Sequence, residues 1–356
     1  MASYDVDDVT VYDMEVHSLT RYNHLFEYLD EDLREREESG YMAHPEMGPM
    51  PWDGWDRSAG GRIKWSPHPI THPDDYDEKR EEFGIDVTVF SPGQFKLTQI
   101  PNVPKRIQYL WAINEHITRL YADPQEDNYA KLLIIPEHPE ESAKVIEEYG
   151  SDPGIVGLFI VDVGPKHPLG HKRFEPIYEA AEKHDLAIYL HSGSGLYPAF
   201  PMPGLNMETF MGYHTLAHPM AKMWHATSII SRGIPERYDV DWCFLEAGIS
   251  WIQFLRTRMD REYLERPSDA PELTKLPSEY LSDFYYGVQP LEEQPRKPDD
   301  LQYIIDMNGL EDQLILTTDY PHMDFDAPSS VLEHDGLTDV QKRKIIHDNP
   351  ESLLGF

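Results

Sequence analysis

Short runs of apolar and β-branched residues recur along the chain, separated by longer stretches with helical spacing. The runs are Val9–Val16, Asp86–Phe90, Ala130–Ile135, Ile155–Val161, Ala187–Leu190, Val240–Leu245, a weaker Phe284–Val288, and Gln313–Thr317. Near-continuous apolar runs of this length mark strands buried on both faces, as in parallel sheets. Between them, Lys105–Tyr121 places Ile107, Leu110, Trp111, Asn114, Ile117 and Leu120 at helical spacing. Glu140–Tyr149, Pro176–His184, Met220–Arg232 and Asp300–Met307 read as further helices, with Gly233 as a stop. Eight buried strands alternating with helices predict an α/β fold, the (β/α)8 TIM barrel. A doubly wound open sheet is the competing architecture, but no glycine-rich strand-to-helix turn of the dinucleotide type supports it. Residues 18–82 are polar, Pro-rich and Trp-rich, which predicts a long insertion after strand one lying over the barrel mouth. Residues 263–283 form a second polar stretch. No internal repeat or linker interrupts the pattern, so residues 1–356 read as a single domain.

Charge changes the picture. The 356 residues carry 31 Lys and Arg against 64 Asp and Glu, a formal net charge of −33. That excess excludes sequence-independent binding of nucleic-acid backbones, which needs clustered basic residues, and disfavours an anionic membrane surface. Disorder does not explain it, because 40% of residues are hydrophobic and 12% aromatic. The acidity reads as a solvated surface of the kind halophilic proteins use, where salt screens self-repulsion; a merely acidic mesophilic protein is the plainer reading. The lone Cys243 excludes an internal disulfide and a Cys-based zinc site. The opening MASYDVDDV lacks the basic-then-apolar pattern of a signal peptide. No apolar run approaches the ~20 residues of a membrane span, and a cytoplasmic location is expected.

In a barrel of this kind the chemistry lies at the C-terminal ends of the strands. The first run closes on Glu15 and His17, two residues apart and therefore on one side of a strand. A carboxylate and an imidazole together suit a divalent metal; ordinary strand-end hydrogen bonds are the alternative. The fifth run closes on His191, followed by Ser192-Gly193-Ser194-Gly195, small residues that let a substrate approach the backbone. The eighth closes on Asp319, within TTDYPH. A carboxylate leaving a buried strand needs a strong partner, either a metal or a turn ahead of Pro321. His322 and Asp324 read either as residues that support this set from behind or as loop residues. The sixth run closes on Glu246, either a general acid/base or the partner of Arg256 or Arg258. In the insertion, Trp52, Trp55 and Trp65 are candidates to stack on a planar substrate. Arg57 and Arg62 are candidates to clamp a carboxylate. The alternative is that this loop packs on the mouth or on a neighbouring subunit. His214, His218 and His225 share a near-helical spacing that raises a second metal; we assign them instead to the helix between strands five and six, with His214 best placed to reach the site.

Taken together, YDMEVHS, YLHSGSG, FLEAGISWI, RTRMDREY, PSEYL, TTDYPHMDF and the closing DNPESLLGF resemble the amidohydrolase superfamily in its amidohydrolase-2 branch. That branch includes aminocarboxymuconate-semialdehyde decarboxylase and the γ-resorcylate-type decarboxylases. The resemblance covers nearly the whole chain. It implies a (β/α)8 barrel holding one divalent metal, zinc or sometimes manganese, with Glu15, His17, His191 and Asp319 as ligands. It implies decarboxylase-like C–C lyase chemistry on a small carboxylated aromatic or enol; within that chemistry we assign proton handling to Asp319, Glu246 and His214. Relatives commonly form homodimers, so a homodimer or higher homo-oligomer is expected. Two departures qualify this. Glu246 stands where the decarboxylases typically have a histidine, which favours hydrolysis of an ester, lactone or amide as the alternative. Asp162 closes the fourth run where two-metal members carry a bridging lysine, which favours one metal. A non-catalytic barrel used for binding is the remaining reading.

Overall fold

A computed structural model describes residues 9–18, 22–39, 69–93, 97, 100–162, 165–193, 209–292, 297, 299–322 and 324–356. In chain order the first half holds β1 (Tyr12–Ser18), α1 (Glu31–Glu38), α2 (Asp77–Phe83), β2 (Val87–Pro92), α3 (Val103–Tyr121), β3 (Asn128–Leu133), α4 (Pro139–Tyr149), β4 (Ile155–Val161) and α5 (Glu175–Lys183). The second half holds β5 (Ala187–His191), α6 (Phe210–Ser231), α7 (Ile234–Arg237), β6 (Trp242–Phe244), α8 (Ser250–Glu265), α9 (Pro277–Leu281), β7 (Tyr285–Gly287), α10 (Asp299–Asn308) and β8 (Leu314–Ile315), then α11 (Ser329–Leu332), α12 (Asp339–Arg343) and α13 (Asn349–Leu354).

The eight strands form one sheet in the order β1 to β8, and each neighbouring pair is parallel. The segment from β8 onward then returns to β1. Met14 N donates to Leu316 O (2.9 Å), Asp319 N to Glu15 O (3.0 Å) and His17 N to Tyr320 O (2.7 Å). Those bonds close the (β/α)8 barrel that the strand pattern predicts and set aside the open sheet.

Side-chain alternation divides the core. Ala187 and Tyr189 of β5, Cys243 of β6 and Ile315 of β8 pack together inside the barrel, capped by Leu353 of α13. Ile188, Leu190 and Phe244 face the helices instead. His191 continues the inward row of β5 and arrives at the C-terminal mouth. In β1 the register shifts between Asp13 and Val16. Across this bulge Met14 joins the interior cluster while Val16, two residues on, joins the outer one.

The expected boundaries hold to within a few residues, with one correction. The helix placed at Met220–Arg232 begins at Phe210, with Thr209 Oγ1 accepting from Gly212 N at 3.1 Å as its N-cap. Pro219 lies inside this helix; a proline is usually read as a helix start, which is why the first turns are not visible in the pattern. Gly233 ends the run as expected, with a left-handed φ of 63°.

α6 is tied to the barrel by buried polar groups. Lys222 Nζ donates to Asp162 Oδ2 and to Leu190 O, both at 2.7 Å. His225 Nδ1 accepts from Leu169 N (3.2 Å), and its Nε2 donates to Asp162 O (2.7 Å). These two bonds require one neutral tautomer, and burial pushes the His225 imidazole down to about 3 from an ordinary 6.5. Between about pH 6.5 and 3 the unfolded chain therefore binds a proton that the folded chain refuses, so His225 lowers stability as pH falls through that window and leaves it unaffected above. Urea midpoints measured from pH 7 to pH 4 should fall less steeply for His225→Gln than for the wild type; identical slopes would refute the assignment.

Candidate metal centre

Four side chains from opposite ends of the sequence meet at the C-terminal mouth. His17 Nε2 lies 3.1 Å from His191 Nε2, 2.9 Å from Asp319 Oδ1 and 3.5 Å from Glu15 Oε1. His191 Nε2 lies 3.3 Å from Asp319 Oδ1 and 3.5 Å from Glu15 Oε1. All four residues are buried. β1 supplies Glu15 and His17, β5 supplies His191, and the turn after β8 supplies Asp319. The closure bond from Asp319 N to Glu15 O places that turn directly against β1.

Neither carboxylate oxygen of Glu15 has a hydrogen-bond partner, nor does Asp319 Oδ2. Burial pushes the Glu15 carboxyl up, as do burial and the neighbouring acids Asp324 and Glu15 for Asp319. Burial likewise drives the His17 and His191 imidazoles well below their usual range, toward the neutral form that ligates metals. Buried anions without donors and neutral imidazoles with converging nitrogens are the two halves of a cation site. The spacing agrees: ligands held ~2.0–2.2 Å from a cation lie about 2.8–3.1 Å apart in octahedral and about 3.3–3.6 Å apart in tetrahedral geometry, and the observed separations run from 2.9 to 3.5 Å. The residues present therefore fit a divalent metal.

Two residues read as supporting or loop positions lie against this centre. His322 Nδ1 is 2.9 Å from Asp319 Oδ1, and its ring stacks on that of His17 with centroids 4.1 Å apart. One donor atom each from His17, His191, Asp319 and His322 lies within 4.8 Å of the others. Asp324 lies 3.1 Å from His214 Nε2. Burial opposes its ionisation, but His214 holds its carboxyl down at about 2. The D-x-x-H spacing of Asp319 and His322 was available in the sequence; the turn that folds His322 back was not.

Glu246 faces the same mouth, with Oε2 at 3.3 Å from His191 Nε2. The expected alternative partners are engaged elsewhere, Arg256 with Asn308 O (2.6 Å) and Arg258 with Glu262 (2.9 Å). Glu246 and Asp319 both adopt left-handed backbone, with φ of 54° and 62°. Non-glycine residues in this region are uncommon and concentrate at functional sites. Burial and the nearby acids, Asp319 first, push the Glu246 carboxyl well above its usual range.

Below the mouth, Lys131 is buried inside the barrel, donating to Met14 O (2.6 Å) and Ser91 Oγ (3.0 Å) and lying over the Tyr189 ring. Neither Lys131 nor Lys222 was singled out from the sequence; each is the one Lys, Arg, Asp or Glu of its element. His214 and His218 lie on α6 with ring centroids 4.3 Å apart, beside Glu246 rather than among the first four donors. Trp52, Trp55, Arg57, Arg62 and Trp65 lie outside the described residues. Among the described residues no helix is long and apolar enough to cross a membrane.

The amidohydrolase family model matches residues 13–356. Among solved structures, an amidohydrolase from Mycobacterium avium subsp. paratuberculosis K-10 superposes with a TM-score of 0.75 at 15% identity, covering 98% of this chain and 100% of that one. The 5-carboxyvanillate decarboxylase of Sphingomonas paucimobilis gives 0.71 at 16% identity, covering 98% and 100%. A dihydroxybenzoic acid decarboxylase from Polaromonas sp. JS666, with bound manganese and the inhibitor 2-nitroresorcinol, gives 0.70 at 14% identity, covering 98% and 97%. Among curated proteins none matches this chain by sequence.

Proposed function

The chain belongs to the amidohydrolase family, and from that membership we propose that it is a metal-dependent decarboxylase acting on a small carboxylated aromatic or enol. The observation that carries the proposal is the convergence of Glu15, His17, His191 and Asp319, with contacts of 2.9–3.5 Å, in a buried mouth. Zinc and manganese both suit two imidazoles and two carboxylates. A bound divalent cation supplies Lewis-acid polarisation of substrate oxygens and lowers the pKa of bound water toward ~7.

The chain's own residues do the rest. His17 and His191, held neutral by burial, offer Nε2 lone pairs toward the centre. Asp319 turns Oδ1 to these imidazoles and leaves Oδ2 without a hydrogen-bond partner. That free Oδ2 suits Asp319 to pass on the proton that replaces the departing carboxylate. In that step the bond between the substrate carbon and its carboxylate breaks, CO2 leaves, and the electron pair on carbon takes the proton. Glu246, 3.3 Å from His191, stands beside Asp319 as a second proton carrier, with His214 behind it. Trp52 and Trp55 as stacking groups, and Arg57 and Arg62 as a carboxylate clamp, complete the proposed substrate site.

The test is a panel of hydroxybenzoates and enol carboxylates assayed for CO2, alongside esters, lactones and amides. CO2 release that is lost on chelation and restored by manganese or zinc is the expected result. Hydrolysis without CO2 release would overturn decarboxylation in favour of the second reading, which Glu246 favours by standing in place of the decarboxylases' histidine.

Two further features belong to the proposal. A homodimer is the expected assembly in the cytoplasm. The net charge of −33 reads as adaptation to salt. Raising KCl from ~0.1 M to ~1 M shortens the Debye length from ~10 Å to ~3 Å, and the melting temperature should rise with it; a flat or falling melting temperature would argue for an ordinary acidic protein.

A further inference from the structure

We propose that the mouth binds a second divalent cation, held by His214 and His218 of α6 and by Glu246, adjacent to the centre formed by Glu15, His17, His191 and Asp319. The inference rests on that centre being a metal site. One donor atom from each of His214, His218 and Glu246 lies within 4.8 Å of the others. His218 is 3% exposed, and neither ring nitrogen has a hydrogen-bond partner within 3.5 Å, the Glu246 backbone being a more distant polar neighbour. Glu246 is 6% exposed and its Oε2 has none. A buried imidazole with both nitrogens unsatisfied is costly unless something fills the gap.

The distances specify what fills it. His218 Nδ1 and Glu246 Oε1 are 3.9 Å apart. That is too long for a hydrogen bond and within the ~4.2 Å that two ligands can span across a cation at ~2.1 Å each. Glu246 Oε2 faces the other way, toward His191 at 3.3 Å, so this one carboxylate addresses both positions. Asp324 Oδ2 lies 3.1 Å from His214 Nε2, the carboxylate–imidazole contact that orients ligating histidines.

Charge points the same way. Glu15, Asp319, Glu246 and Asp324 gather at the mouth, while the neighbouring buried ammonium groups are committed. Lys222 serves Asp162 and Leu190 O, and Lys131 serves Met14 O and Ser91. One dication offsets two of the four carboxylates; a second offsets the rest. The second site owes nothing to β4, where Asp162 is occupied by Lys222.

The experiment loads the purified full chain with MnCl2, removes free ion by gel filtration, and measures manganese per chain together with the EPR spectrum. The wild type is expected to hold two ions per chain with the broadened spectrum of a coupled pair. His218→Asn and His214→Ala, each checked for an unchanged far-UV spectrum, should hold one ion with the six-line spectrum of isolated Mn(II). One ion in the wild type, retained in both variants, overturns the second site and leaves the first intact. Two ions in the wild type and in both variants overturns the ligand assignment. No ion in the wild type overturns both this inference and the metal centre it rests on.

Discussion

Replacing Asp319 by asparagine is expected to lower kcat by roughly 10²–10⁴-fold, the range for losing a positioned acid or base, while the protein stays folded. Asn tolerates left-handed backbone, so the φ of 62° and the bond from the residue 319 N–H to Glu15 O both survive. What disappears is the charge facing His17, His191 and His322, and the oxygen that carries the proton. Steady-state CO2 release, manganese content and melting temperature measured on one preparation separate the effects. An Asn variant with wild-type turnover would remove Asp319 from the chemistry. A variant that melts early would show a structural role instead.

Lys222→Met is expected to be the most destabilising single change, by about 3–5 kcal/mol, because it strips one partner from a fully buried ion pair. Methionine fills the volume of the lysine stem but leaves Asp162 Oδ2 and Leu190 O without their donor. Burial already pushes the Asp162 carboxyl upward, opposed chiefly by Lys222. Asp162 also accepts from Gly193 N at 3.2 Å, two residues beyond His191. Loss of the ammonium should therefore loosen the end of β5 and weaken metal retention as well as stability. Urea denaturation gives the first quantity and manganese titration the second. A Lys222→Met/Asp162→Leu double variant should recover part of the stability, since removing both partners is far less costly than removing one. A single variant as stable as the wild type would mean that the pair contributes nothing.

The strands and the four residues that converge at the mouth were legible because each rests on a local rule. An apolar run of strand length ends in a polar residue, and in a barrel those ends share one mouth. Glu15 and His17 add the two-residue period that puts both on one face. The short β6, β7 and β8 were read as longer runs, because apolar composition continues past the last ladder bond. The surrounding residues were legible only in part: the spacing singles out His214 as able to reach the site, but not how its neighbours face it. His214 and His218, four apart on α6, look the same whether they face the barrel or the helix layer. Their direction depends on how α6 docks, which Lys222 and His225 decide through partners in β4, β5 and the loop before α5. His322 and Asp324 depend on the turn after β8, and the left-handed backbone of Glu246 and Asp319 has no signature in residue type. Lys131 and Asp162 would be costly inside an apolar element by any local rule, and only their tertiary partners account for them.

The seam that closes the barrel has a bearing on biosynthesis. Thr318 Oγ1 donates to Asp13 across a separation of 305 residues, and Asp319 docks on Glu15 in the same stroke. A chain emerging from the ribosome exposes Glu15 and His17 some three hundred residues before Asp319. Any cation this mouth takes must therefore await the residues on the far side of the seam, and until they emerge the first strand offers only an incomplete set of donors.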